Sequence, residues 1–93
     1  IKVKTLHNDS AVTRELVLIK VSCTQKQRAE LISIAEIAKG KISDISTNSM
    51  TIELSDTKQN LDTYEELLRP YGIKEVVRTG AIAIQKGEAS VRV

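Results

Sequence analysis

A chain of 93 residues, 41% hydrophobic and 28% charged, is sized for one small domain of ordinary globular balance. Its net charge of +2 comes from scattered Lys and Arg, which excludes a nucleic-acid footprint built on a basic block. A single cysteine, Cys23, excludes an internal disulfide, no apolar run approaches the ~20 residues that span a bilayer, and no signal peptide is visible.

Two Tyr with no Phe or Trp leave Ile, Leu, Val and Ala to build the core. A domain this small buries only roughly 60% of its unfolded surface, and association with a partner would supplement it. The chain starts at Ile1 rather than Met, and we read it as an excerpt or processed product with an upstream part.

In chain order, Ile1 to Thr5 (IKVKT) alternates like a strand and reads as the last strand of an upstream domain. Leu6 to Thr13, with Asn8-Asp9-Ser10, reads as a polar linker. Arg14 to Ser22 (RELVLIKVS) is dense in Leu, Val and Ile and too short for a typical helix, which predicts a buried strand. Thr24 and Gln27 form a capping-box signature for a helix over Gln25 to Lys39. Its apolar positions Leu31, Ile34, Ala35 and Ala38 share one face, and Gly40 is the expected C-cap.

Lys41 to Ser46 predicts a second strand, Thr47-Asn48-Ser49 a turn, and Met50 to Leu54 a third strand. Asp56 with Gln59 offers another capping box for a helix over Thr57 to Arg69, striped by Leu61, Tyr64 and Leu68. Pro70 cannot continue that helix, and Gly72 tolerates the positive φ of a tight reversal into a fourth strand, Ile73 to Arg78. Ala81 to Ile84 adds a short edge strand, and Lys86 to Val93 reads as a tail.

Strand, helix, strand, strand, helix, strand is the split-βαβ pattern, and the right-handed crossover rule leaves few other windings. The predicted fold class is α+β: a ferredoxin-like βαββαβ plait, a four-stranded antiparallel sheet with two helices on one face. It occupies 14–85, with 1–13 as the end of an upstream domain plus linker and 86–93 as the tail.

Chemistry is sparse. His7, the one histidine, lies in the proposed linker with only Asp9 near it, short of a catalytic or metal set. Cys23 precedes a helix start but has no second Cys or nearby His, and reads as a small structural residue. Glu65 and Glu66 are adjacent and do not face each other, while Glu30 with Glu36 and Asp56 with Asp62 suit a solvated helix surface. Asp44 reads as exposed. The glycines are scattered at Gly40, Gly72, Gly80 and Gly87, without a phosphate loop. RNA-binding plaits stack bases on aromatics of their central strands, and neither face of the first or third strand has one.

The first strand carries one positive signal. If Val17, Ile19 and Val21 face the helices, Leu16 and Leu18 sit on the open sheet face, where apolar side chains usually mark an interface. Leu16 and Leu18 are thus candidate contact residues, with Arg78, Thr79 and Gly80 at the end of the fourth strand as the alternative contact.

Three ordered blocks carry a resemblance: "RELVLIKV" (Arg14 to Val21), "KISDIS" (Lys41 to Ser46) followed by "TIEL" (Thr51 to Leu54), and "LLRPYGIKEVVRTG" (Leu67 to Gly80). Together they resemble the C-terminal domain of the acetolactate (acetohydroxyacid) synthase small regulatory subunit, along Arg14 to Gln85. "IKVKTL" at the start resembles the exit from that family's preceding ACT domain. Ala38 stands where many relatives carry a large aromatic, and Ala81 where a basic residue often follows the RTG.

The resemblance implies a non-catalytic role with no cofactor, metal or active site of its own. The partner it implies is the thiamine-diphosphate-dependent catalytic (large) subunit, which the family activates and places under feedback inhibition by branched-chain amino acids, usually valine. The valine site belongs to the ACT domains, so this chain would hold neither that pocket nor the thiamine cofactor. It would form a homodimer or higher homo-oligomer in a bacterial cytoplasm or plastid stroma, without nucleic acid or membrane. The alternatives are a free-standing ferredoxin-like domain that dimerises and senses a small metabolite, and a small plait enzyme.

Overall fold

A computed structural model describes residues 10–88. The proposed upstream strand Ile1 to Thr5, His7 and the last five residues of the proposed tail lie outside this range. The strands are β1 (Ala11–Ser22), β2 (Lys41–Ile45), β3 (Ser49–Asp56), β4 (Ile73–Arg78) and β5 (Ile82–Gln85). The helices are α1 (Arg28–Ile37), entered through a 3-10 turn at Gln25–Gln27, and α2 (Lys58–Leu68), left through a 3-10 turn at Arg69–Tyr71.

The sheet order β2-β3-β1-β4, antiparallel throughout, is the ferredoxin-like plait, and β5 is a fifth strand paired with the first four residues of β1. β1 therefore begins at Ala11, three residues inside the stretch that reads as a linker, because Ala11 to Arg14 find ladder partners in Gln85 to Ile82. Lys86 donates its N–H to Ser10 O and Thr79 donates its to Leu16 O. Ser10, immediately before β1, and Leu16 within it are both even-numbered, so β5 follows β4 along the same edge of β1.

Both helices cover one face of the sheet. The core comprises Val17, Ile19 and Val21 of β1, Met50, Ile52 and Leu54 of β3, Leu31 and Ala35 of α1 with Ala38, and Leu61 and Leu68 of α2. Cys23 is buried among them and donates its thiol to Thr24 O at 3.3 Å, a structural use of the side chain. Tyr64 and Tyr71 pack at the margin of this aliphatic core. The Tyr71 hydroxyl donates to Glu30 at 2.8 Å, joining the end of α2 to the start of α1. That bond to a carboxylate raises the Tyr71 pKa, since ionising the phenol would break it.

The helix ends differ from expectation in two places. The first concerns Gly40, expected as the left-handed C-cap. Lys39 takes that conformation instead, with φ 57°. Lys39 N–H bonds Glu36 O at 3.0 Å and Gly40 N–H bonds Ala35 O at 2.8 Å, the paired bonds of a Schellman turn with Lys39 as C′. Gly40 is needed for space: a Cβ there would lie 2.3 Å from Leu54 Cδ2 and 2.7 Å from Glu53 O.

The second concerns α2. β3 runs on to Asp56, paired with Glu15, so Asp56 is still in the ladder and Thr57 becomes the N-cap. Thr57 Oγ1 accepts the Asn60 N–H at 3.3 Å, and Asp56 Oδ1 accepts the Thr57 N–H at 2.7 Å. At α1 the expected bond is present, with Gln27 Oε1 accepting the Thr24 N–H at 3.1 Å. Gly72 has φ 97° as the reversal demands, and its carbonyl accepts the Ser22 N–H at 2.8 Å.

The two roles at the end of α1 make opposite predictions for neighbouring residues. Gly40→Ala should lower stability by about 1–3 kcal/mol, since the added carbon meets β3 backbone. Lys39→Gly should leave stability unchanged or raise it by up to about 1 kcal/mol, relieving a left-handed non-glycine residue. Urea unfolding of the two variants checks the pair.

Candidate functional site

The odd-numbered residues of β1 from Glu15 to Val21 are buried beneath the helices, and its even-numbered residues form the open face. Cross-strand pairing lays that face out in rows. Leu18 stands between Val77 of β4 and Glu53 of β3, and Lys20 between Glu75 and Thr51. Leu16 lies beside Ser55, with Thr79 on its other side, where the Thr79 hydroxyl accepts the Leu16 N–H at 3.1 Å. Further along, Arg14 pairs with Ile82 and Val12 with Ile84.

Leu16 and Leu18 are 36% and 38% exposed, Val77 is 56%, and Ile82 and Ile84 are 73% and 70%. With Val12 they make one apolar strip along β1 and its β4–β5 edge. Leu16 and Leu18 thus lie where the sequence reading puts them. Val77 could have been found from the alternation of IKEVVR once Val76 was assigned to the core. Ile82 and Ile84 had no such signal, because their place depends on β5 continuing the ladder past Gly80, whose φ is 85°.

Polar groups border the strip. Lys20 Nζ lies 3.6 Å from Glu75 Oε1, and Lys41 stands opposite Glu53, whose Oε1 accepts a hydrogen bond from Ser43 Oγ at 3.2 Å. The β2 edge is exposed throughout, and its register shifts between Ile42 and Asp44. A charged, irregular edge of this kind is blunted against further strand pairing.

Arg78 points the other way. It pairs with Val17, so its side chain turns beneath α2 rather than onto the open face. Its guanidinium donates to Glu15, from Nε at 2.9 Å and also from Nη2, and to Asp62 at 2.7 Å, with Glu65 at 3.7 Å. Glu15 is only 6% exposed, the one buried charged residue among the described residues. The Glu15 bonds first, and then Asp62, hold the Arg78 pKa above its ordinary value. Asp62 is correspondingly lowered, by its Arg78 hydrogen bond first and Lys58 second. It belongs to this network as well as to the helix surface that its spacing suggests. Of the alternative contact residues, then, Arg78 serves the fold's interior, while Thr79 and Gly80 lie at the junction of β4 and β5.

Among the described residues no His, Cys, Asp and Glu side chains group in a way that could hold a metal ion. No described helix is long and apolar enough to cross a membrane. What the described residues do present is the exposed apolar strip on the open sheet face.

The family model described as "Small subunit of acetolactate synthase" matches residues 14–87. The chain belongs to the acetolactate synthase small-subunit family. A probable acetolactate synthase small subunit from Methanothermobacter thermautotrophicus is 37% identical over 92 residues, covering 98% of this chain and 55% of the relative. The acetolactate synthase small subunit of Aquifex aeolicus is 40% identical over 93 residues, covering 99% and 48%. The crystal structure of the acetolactate synthase small subunit from Thermotoga maritima superposes with a TM-score of 0.80 at 29% identity, over 88% of this chain and 50% of that one. The chain spans about half the length of these relatives. The small-subunit match takes in β1 from Arg14 onward, the rest of the plait and β5, and so includes the Arg78 network and all of the apolar strip except Val12.

Two predictions follow from that network. Arg78→Met leaves Glu15 buried without its partner and should cost about 3–5 kcal/mol, most of it recovered when Glu15→Leu is added. Chemical denaturation of the single and double variants measures this. Asp62 has a lowered folded pKa, so its contribution is complete above its ordinary value of 3.8 and is lost as pH falls through the folded value. The stability deficit of Asp62→Asn should therefore be present at neutral pH and shrink progressively as pH falls below 3.8.

Proposed function

We propose that this chain is the C-terminal domain of the regulatory subunit of an acetolactate synthase. It would support activation of the thiamine-diphosphate-dependent catalytic subunit and feedback inhibition by a branched-chain amino acid. The observation that carries this reading is the family match over residues 14–87, which spans a complete plait yet only about half of the relatives' length. A complete module within a longer subunit suits a division of labour between effector binding and assembly. On this reading Ile1 to Thr5 is the last strand of an ACT domain and 86–93 a tail. The effector pocket lies upstream, and the setting is a bacterial cytoplasm or plastid stroma.

The mechanism is a coupling free energy between effector and catalytic sites carried through subunit contacts. This domain's part is to present its open sheet face as one such contact, while the buried helix side keeps the face rigid. Nucleic acid has no part in it, since the open face offers no aromatic for base stacking and its charges alternate in sign.

Purified alone, the chain should form no acetolactate from pyruvate and thiamine diphosphate, and calorimetry should show no saturable valine binding. An immobilised form should retain the catalytic subunit from its own source. Turnover by the chain alone would overturn the non-catalytic assignment, valine binding would move the effector site into this domain, and failure to retain the catalytic subunit would count against the regulatory role.

A further inference from the structure

We propose that the free edge of β1 at Ala11 to Arg14 takes up an extended, acidic segment of the catalytic subunit, which pairs with it as an added strand in the groove beside α2. This deepens the regulatory reading above and rests on it for the identity of the partner.

Backbone parity exposes the edge. Lys86 N–H reaches Ser10 O, so Ser10 with Lys86 is a hydrogen-bonded pair, and in turn so are Val12 with Ile84 and Arg14 with Ile82. Ala11 and Thr13 alternate with them and direct their N–H and C=O groups to the other edge of β1. That is the β3 side, but β3 ends at Asp56, opposite Glu15, and the chain turns away into α2. Among the described residues no strand pairs with Ala11 or Thr13 there. Thr13 O accepts one bond, from Arg14 Nη1 at 2.7 Å, and keeps a second lone pair. An unpaired edge of this kind is a template for another extended chain, and it lacks the register shift of the β2 edge.

The edge also has room beside it. The core that the helices cover takes in β1 from Val17 on, and Ala11, though buried, stands outside it. The space left is a groove of about 670 Å³, lined by Ala11 to Arg14, the first turn of α2, Asp62 and Lys86. Ligand sites run to roughly 300–1,000 Å³. A groove shared by a strand edge and a helix suits strand addition, in which main-chain bonds give affinity and alternate side chains give specificity. The edge from Ala11 to Arg14 is about 14 Å long at about 3.4 Å per residue, enough for a segment of about four residues.

Charge selects the occupant. Arg14, Lys58 and Lys86 line the groove, and the one carboxylate among its described lining residues is Asp62. Asp62 is already engaged by Arg78 at 2.7 Å and Lys58 at 3.0 Å. Asp56, at the end of β3, commits its Oδ1 to Thr57 N–H and Asn60 Nδ2. The lining is thus cationic, and the segment that fits it carries Asp or Glu. Residues 1–9 of the chain itself bring Lys2 and Lys4 against Asp9, the wrong sign for this groove.

The test titrates the chain into short, overlapping, fluorescent peptides that cover the catalytic subunit from the same source, read by anisotropy. An acidic peptide should bind. Thr13→Pro deletes the N–H that faces the groove and puts a ring in its place, yet leaves the β5 ladder alone because Thr13 with Ala83 is a non-hydrogen-bonded pair. It should weaken that peptide by at least ~10-fold and reduce retention of the catalytic subunit, with unchanged circular dichroism. Arg14→Gln/Lys86→Gln should weaken the peptide by about 2–10-fold and flatten its salt dependence. This surface variant decides the matter should the proline variant unfold. If the wild type retains the catalytic subunit but binds no acidic peptide, or if folded Thr13→Pro binds the peptide equally well, the groove assignment falls and the regulatory reading stands. A wild type that fails to retain the catalytic subunit overturns both. Tighter peptide binding after removal of residues 1–9 would give the groove to that segment. Self-association lost in Thr13→Pro with peptide binding unchanged would give the edge to a second copy, and either result overturns the proposal.

Discussion

The side-chain alternation of β1 is the constraint on which the rest depends. This strand pairs with β3, β4 and β5, and its odd-numbered residues Val17, Ile19 and Val21 are at the centre of the core. A slip of one residue would turn Leu16, Leu18 and Lys20 toward the helices and put Val17, Ile19 and Val21 in water. Both faces are apolar near the middle of the strand, so hydrophobicity alone specifies the register weakly there. Polar residues settle it: Lys20 and Arg14 are tolerated only on the open side, and Glu15 is tolerated on the closed side only because Arg78 reaches it.

That ion pair ties together three elements that are distant in sequence. Glu15 is in β1, Arg78 in β4 and Asp62 in α2, so closing the network requires the second β-α-β unit to be docked on the first strand. Its strength is of the kind that appears when one partner is removed, because burying a lone carboxylate is far more costly than burying a matched pair is beneficial. The network therefore acts more to specify how α2 and β4 sit than to add net stability. It also sets the other face: with Arg78 turned inward, Val77 must turn outward to join Leu18.

An aliphatic core with two marginal tyrosines is a modest source of stability for a domain of this size. The apolar strip left outside is the counterpart. Residues that a larger domain would cover with a further layer, Leu16, Leu18, Val77, Ile82 and Ile84 among them, are left exposed on the open face. Fold and proposed function thus share one sheet, with the core on one side and the proposed subunit contact on the other.

The amino-acid sequence by itself determined the order of elements, the helix-facing set of β1 and the reversal at Pro70 and Gly72, because these rest on local periodicity and backbone restriction. The family was legible too, in the blocks around Arg14, Lys41 and Leu67 that the family match spans. Tertiary structure alone decided which of two adjacent residues, Lys39 or Gly40, takes the left-handed turn, since the answer lies in how closely Leu54 and Glu53 approach. It likewise decided that Asp56 stays in a strand, that Ala11 to Thr13 are ladder rather than linker, and that Arg78 faces inward. Each of these depends on a partner more than ten residues away in the chain or on a ladder that the partner completes, and no local pattern encodes the distance to it.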